Sequence, residues 1–96
     1  MQELLEARLM QLAQRFAERV DDVPELREME FSTVDDMADW LRVNEPALGL
    51  EFLADRLLEY GVLLSQADVV EIEACRLLCG LPESGRFSAL HRLTSP

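Results

Sequence analysis

Carboxylates are the residues through which this chain is best equipped to act. Glu51, Asp55 and Glu59 recur at i, i+4 and i+8, a spacing that lays them along one helix face. Like charges so placed weaken an isolated helix by ~0.2–0.5 kcal/mol per pair. A stripe kept at that cost faces a cation, a protein partner or only water. Asp35, Asp36 and Asp39 gather at the start of an earlier helical stretch. There the helix dipole favours negative charge, so dipole support with solubility competes with a partner surface as their explanation. Trp40, the only tryptophan, lies among these acids. It has two readings, a side chain that closes the core and an aromatic anchor at an interface.

Other chemistries find little support. The chain has no Gly-rich phosphate loop and no Gly-x-Ser-x-Gly motif. His91, the only histidine, has no nucleophile or acid spaced to work with it, so no catalytic role is expected. Cys75 and Cys79 stand four apart in a helical stretch. That spacing meets disulfide geometry poorly, and two reduced, mostly buried thiols are expected. With one histidine and no second cysteine pair, neither a metal site nor a cofactor is expected.

The 96 residues suffice for one domain and leave no room for a second core. Hydrophobic residues are 49% of the chain, which is globular rather than disordered composition. Nineteen acids oppose nine bases, all arginine, for a formal charge of −10. Such a balance argues against a nucleic-acid-binding surface, which needs a positive footprint, and favours a basic partner or simple solubility. The charge is uneven. Residues 1–20 are neutral, 21–45 carry a net −7, 46–74 a net −5, and 75–96 a net +2. No apolar run approaches the ~18 residues of a membrane span, and the first residues lack the pattern of a signal peptide, so a cytoplasmic protein is expected.

The elements that must position these residues read as helices. Leu5, Leu9, Leu12, Phe16 and Val20 follow the 3–4 spacing of one apolar face, which predicts a helix from about Gln2 to Val20. Residues 24–31 are ambiguous between a helical turn and an irregular connector. Ser32 with Asp35 resembles a cap, and Val34, Met37, Ala38 and Leu41 turn a helix over Thr33–Val43 inward. Pro46 suits the first turn of a third helix, and Gly61 suits its left-handed stop after Tyr60. Leu50, Leu53 and Leu57 are that helix's core positions, and Val62-Leu63-Leu64 is an apolar connector. Ser65 with Asp68 marks the start of a fourth helix over Gln66–Cys79, and Phe87–Leu93 forms a short fifth. The expected fold is all-α, a small compact bundle of four helices with a short C-terminal helix, built on Leu9, Leu12, Phe16, Val34, Met37, Leu41, Leu50, Leu53, Leu57 and Ile72.

The stretch from Asn44 to Leu81 resembles the MafI-type immunity proteins of bacterial polymorphic toxin systems. Glu45, Leu50, Glu51, Leu53, Leu57, Glu59, Leu64, Ser65, Gly80 and Leu81 match their helical pattern. Asn44 replaces a usual glycine, and Gly49 stands where alanine is commoner. The resemblance covers about 40% of the chain. It implies an inhibitor that binds and neutralises a cognate, contact-delivered toxin domain in the producer's cytoplasm, often a basic nuclease. The implied protein is a monomer or weak homodimer that touches neither nucleic acid nor membrane. Glu51, Asp55, Glu59, Asp35, Asp36, Asp39, Trp40 and Glu45 are its candidate partner-binding residues. Two rival readings are a helical adaptor docking through an apolar groove and an acidic phosphate mimic that inhibits a nucleic-acid-binding protein.

Overall fold

A computed structural model describes residues 2–23 and 33–94. Helix α1 spans Gln2–Asp21, α2 Thr33–Arg42, α3 Pro46–Tyr60, α4 Gln66–Leu78 and α5 Gly85–Ala89, which runs into a 3-10 turn over Leu90–Leu93. The all-helical expectation is met, with four longer helices and a short fifth. Among the described residues the only β-type pairing is an isolated bridge between Leu64 and Thr94. The connector at 24–31 and the Ser32 cap lie outside the described residues.

Local chemistry accounts for where these helices stop and start. The last turns of α2, α3 and α4 close in the same way. Glu45 N–H reaches Trp40 O, Val62 N–H reaches Leu57 O, and Leu81 N–H reaches Arg76 O, at 2.9–3.1 Å. A bond that spans three residues sits inside each, from the N–H of Asn44 to Leu41 O, of Gly61 to Leu58 O and of Gly80 to Leu77 O. This double closure satisfies the orphan carbonyls and requires a left-handed residue after the helix. Gly61 and Gly80 supply it with φ of 62° and 73°, and Asn44 with φ of 60°. Asparagine tolerates that region, which explains its place where a glycine was anticipated. The start of α4 is a full capping box. Ser65 Oγ accepts from Asp68 N–H at 3.1 Å, and Asp68 Oδ2 accepts from Ser65 N–H at 2.8 Å.

The core forms where the apolar faces meet. Leu9, Leu12, Ala13, Phe16 and Val20 from α1 pack with Met37, Leu50, Leu53, Ala54, Leu57, Val69 and Ile72. Val34 and Leu41, expected inside, are only partly buried and pack against the edge of this cluster. The connector divides by residue: Val62 and Leu64 are buried, and Leu63 points to solvent. Phe87 and Leu90 extend the core to the C-terminal segment. Thr33 is also buried, and its hydroxyl donates to Ala13 O at 2.6 Å, tying the start of α2 to α1. The fifth helix begins two residues earlier than the Phe87 expected and ends at Ala89, because Leu90–Leu93 tightens into 3-10 geometry.

A second face of α1 carries Arg8, Arg15 and Arg19, and all three meet carboxylates of α4. Arg8 pairs with Glu71 at 2.9 Å, Arg15 with Asp68 at 3.1 Å, and Arg19 with Asp68 in a second ion pair. Arg19 also donates to Leu63 O at 3.1 Å. Asp68 itself is 1% exposed. Burial pushes its pKa up, but the hydrogen bonds from Arg19, Ser65 N–H and Arg15 outweigh burial and hold it below the usual carboxylate range. The sequence marks Asp68 only as a cap; its larger role is to hold α1, α4 and the connector together.

A depressed pKa gives stability that is full above the unfolded value and is lost as pH falls through the folded one. Asp68→Asn is therefore expected to cost ~1–3 kcal/mol near neutral pH, measured by urea unfolding. The gap between the native protein and the variant is expected to shrink as pH falls below about 4, where Asp68 of the unfolded chain takes up its proton, and to be lost once the native carboxylate, held lower, is protonated too.

Candidate functional site

The acids singled out by sequence come from two adjacent helices. Helix α2 carries Asp35, Asp36, Asp39 and Trp40, and α3 carries Glu51, Asp55 and Glu59, with Glu45 at its N-cap position. The two helices approach closely because position 49 has no side chain. A Cβ at Gly49 would lie 2.9 Å from Met37 Sδ and 3.1 Å from Trp40 Cβ. The missing side chain at Gly49 is thus what leaves room for Met37 and Trp40 of α2 against α3.

Trp40 is half-buried, between its two sequence readings. Its ring tilts 51° against Phe52 at a centroid distance of 6.2 Å. Beside it opens a cleft of about 280 Å³ lined by Trp40, Leu48, Glu51, Phe52, Asp55 and Arg86. Arg86 arrives from α5, pairs with Glu51, and donates from Nε to Asp55 Oδ1 at 3.0 Å. Glu51 and Asp55 therefore share one guanidinium. Glu59, the third member of the stripe, is exposed and lies outside the cleft, paired with Arg56 at 3.3 Å.

Arg56 links the other acids. It lies 4.8 Å over the Phe52 ring and 6.0 Å from that of Tyr60. It also acts on Asp36, whose pKa is raised. Burial is the main cause; Arg56 opposes it, and the neighbouring charges of Asp39 and Asp35 add to it. Asp39 pairs with Arg42 at 2.9 Å on the open surface, where such a pair contributes little. Asp35 is exposed in the first turn of α2. Glu45 is exposed at the head of α3, and its side chain makes no cap bond there.

The remaining chemistry-bearing residues lie elsewhere. His91 is exposed in the 3-10 turn. Cys75 and Cys79 are free thiols, the first buried and the second half-buried. Burial, the Glu71 charge and a hydrogen bond to Glu71 push the Cys75 thiol up to about 11, so it is a poor nucleophile. Among the described residues no group of His, Cys, Asp or Glu is arranged to hold a metal ion, and no helix is long and apolar enough to cross a membrane.

Sequence reasoning missed Arg86. It lies 35 residues from Glu51 and 31 from Asp55, with no periodic signal to connect them. The net +2 of residues 75–96 was the available sign that a cation from that segment would meet the central acids. No family model matches the chain, and no curated protein or solved structure matches it.

Gly49→Val is expected to destabilise the protein by ~1–3 kcal/mol, because the added carbons meet Trp40 Cβ as well as the more yielding Met37. The same substitution is expected to shift the emission of Trp40, so thermal unfolding and fluorescence together check the close approach of α2 and α3.

Proposed function

We propose that this chain is an immunity-type inhibitor that binds and neutralises a basic toxin domain through the α2–α3 face. One observation carries the reading: where the arginines are placed. Arg8, Arg15, Arg19 and Arg76 pair with α4 carboxylates on the far side. Among the described residues of the α2–α3 side, Asp39 pairs with Arg42, Glu59 with Arg56, and Glu51 and Asp55 share Arg86, with Asp36 and Glu45 on the same two helices. A carboxylate surplus remains there beside an aromatic side chain, the composition of an interface that attracts cations.

The resemblance over residues 44–81 supports a toxin as the partner, with the inhibitor acting in the producer's cytoplasm. A toxin that grips nucleic acid presents lysine and arginine to phosphate, and a negative inhibitor face complements that potential. Complementary charge speeds capture, which matters for a protein that must intercept a catalytic toxin. The adaptor reading has one observation in its favour, two exposed apolar side chains that flank Glu73 on α4. Val70 and Leu77, seven residues apart on α4, are 66% and 67% exposed.

Co-expression with the toxin domain encoded beside this gene distinguishes the two. Glu51→Ala, Asp55→Ala and Glu59→Ala combined are expected to keep helical circular dichroism, lose growth rescue, and slow association by about tenfold or more at low salt. Unchanged rescue and rate in that variant would make the acids a solvated face only. Loss of binding on Val70→Ser with Leu77→Ser, while the acid variant still binds, would assign docking to this apolar pair. Failure of the native protein to bind its neighbour would remove the immunity reading.

A further inference from the structure

The cleft beside Trp40 already holds a guanidinium, supplied by the chain itself. Arg86 spans the two carboxylates as a fork, with one nitrogen on Glu51 and another on Asp55. One cation shared by two anions leaves the cleft a unit of negative charge. Its other walls are the indole of Trp40, the ring of Phe52 and the exposed Leu48. At about 280 Å³ it is below the ~300–1,000 Å³ of pockets that enclose small-molecule ligands, and it suits one long side chain.

These walls select among cations. Planar guanidinium matches paired carboxylates and stacks on aromatic rings, whereas ammonium is a point charge that remains strongly hydrated. The protein uses this chemistry next door, where Arg56 lies over Phe52 while pairing with Glu59. The Arg86 pairs are also placed to exchange. The side chains of Arg86, Glu51 and Asp55 are 35%, 27% and 52% exposed. Ion pairs so open to water contribute little and exchange readily. Release of Arg86 would not undock α5, because buried Phe87 and Leu90 anchor that segment.

We propose that the cleft takes an arginine side chain of a basic protein partner, which displaces Arg86 from Glu51 and Asp55. Arg86 is then a built-in competitor that sets the affinity of the site and rejects cations unable to reproduce its fork. The inference deepens the proposed function and rests on its basic partner, but a probe other than the toxin tests it.

Trp40 is the only tryptophan, so its emission reports on the cleft. The full chain is titrated at low salt with end-blocked tetra-arginine, tetralysine and tetracitrulline peptides. Tetra-arginine is expected to give a saturable change with a midpoint several-fold below that of tetralysine, and tetracitrulline none. Arg86→Met keeps the aliphatic stem and removes the competitor; it is expected to tighten arginine binding about two- to fivefold. Glu51→Gln with Asp55→Asn is expected to abolish the response. Should Arg86→Met lose helical circular dichroism, Arg86→Lys serves instead, and a smaller tightening is expected. Equal midpoints for arginine and lysine, weaker or unchanged binding on removing the Arg86 guanidinium, or no saturable change would overturn the proposal. Toxin binding without a cleft response removes only this inference; a cleft response without toxin binding removes only the immunity reading.

Discussion

Asp68 gives up nearly all contact with water yet keeps its charge, and the fold is arranged so that it can. An isolated buried carboxylate would cost several kcal/mol, enough to cancel much of a small domain's stability. Here Arg15 and Arg19 reach it from α1, and Ser65 closes the capping box around it. Among the described residues no buried side-chain nitrogen or oxygen lacks a hydrogen-bond partner. The guanidinium heads meet the buried acid while the Arg15 and Arg19 side chains stay 42% and 32% exposed, so the charge is matched without burying whole arginines. This arrangement fixes the rotation of α1: Phe16 and Leu9 must face the core while Arg15 and Arg19 face α4. It also fixes the connector, because Arg19 holds Leu63 O while Val62 and Leu64 point inward.

The same arrangement determines what the rest of the surface looks like. The chain has nine arginines and no lysine with which to balance nineteen acids. Three arginines on α1 and Arg76 on α4 are taken up by α4 carboxylates. The α2–α3 side keeps a carboxylate surplus as a result, relieved locally by Arg42, Arg56 and Arg86. Charge is desolvated at Asp68 on one side and stays largely hydrated at Asp39, Asp55 and Glu59 on the other. Gly49 adds to this division by letting α2 approach α3, so that Trp40 and Phe52 form aromatic walls beside Glu51 and Asp55.

Much of the framework was legible in the sequence because it is written in local chemistry. Leucines at 3–4 spacing marked the buried faces of α1 and α3. Pro46, Gly61 and the Ser65–Asp68 pair marked helix ends to within a residue. What escaped was set by distant contacts. Nothing near Arg86 announces that it will meet residues more than thirty positions earlier. Nothing near Asp68 distinguishes a surface cap from a buried one, although Arg15 and Arg19, one helical turn apart, were the visible half of its partnership. Val34 and Leu41 looked like core by periodicity alone, but α2 is short and its edges stay partly open to water. The acid stripe was correct as a helix face, yet it divides: Glu51 and Asp55 turn to Arg86, while Glu59 turns to Arg56.

We propose that the α2–α3 face, and not the α1–α4 side, meets a protein partner. Amide resonances of isotope-labelled protein, followed while a candidate basic toxin domain is added, test that proposal residue by residue. The expected result is a set of shifts centred on Trp40, Glu51, Asp55 and Arg86, with Asp68 and the α4 residues Val70 and Leu77 unmoved. Shifts confined to Val70, Leu77 and the rest of α4, with the Trp40 cleft silent, would contradict it.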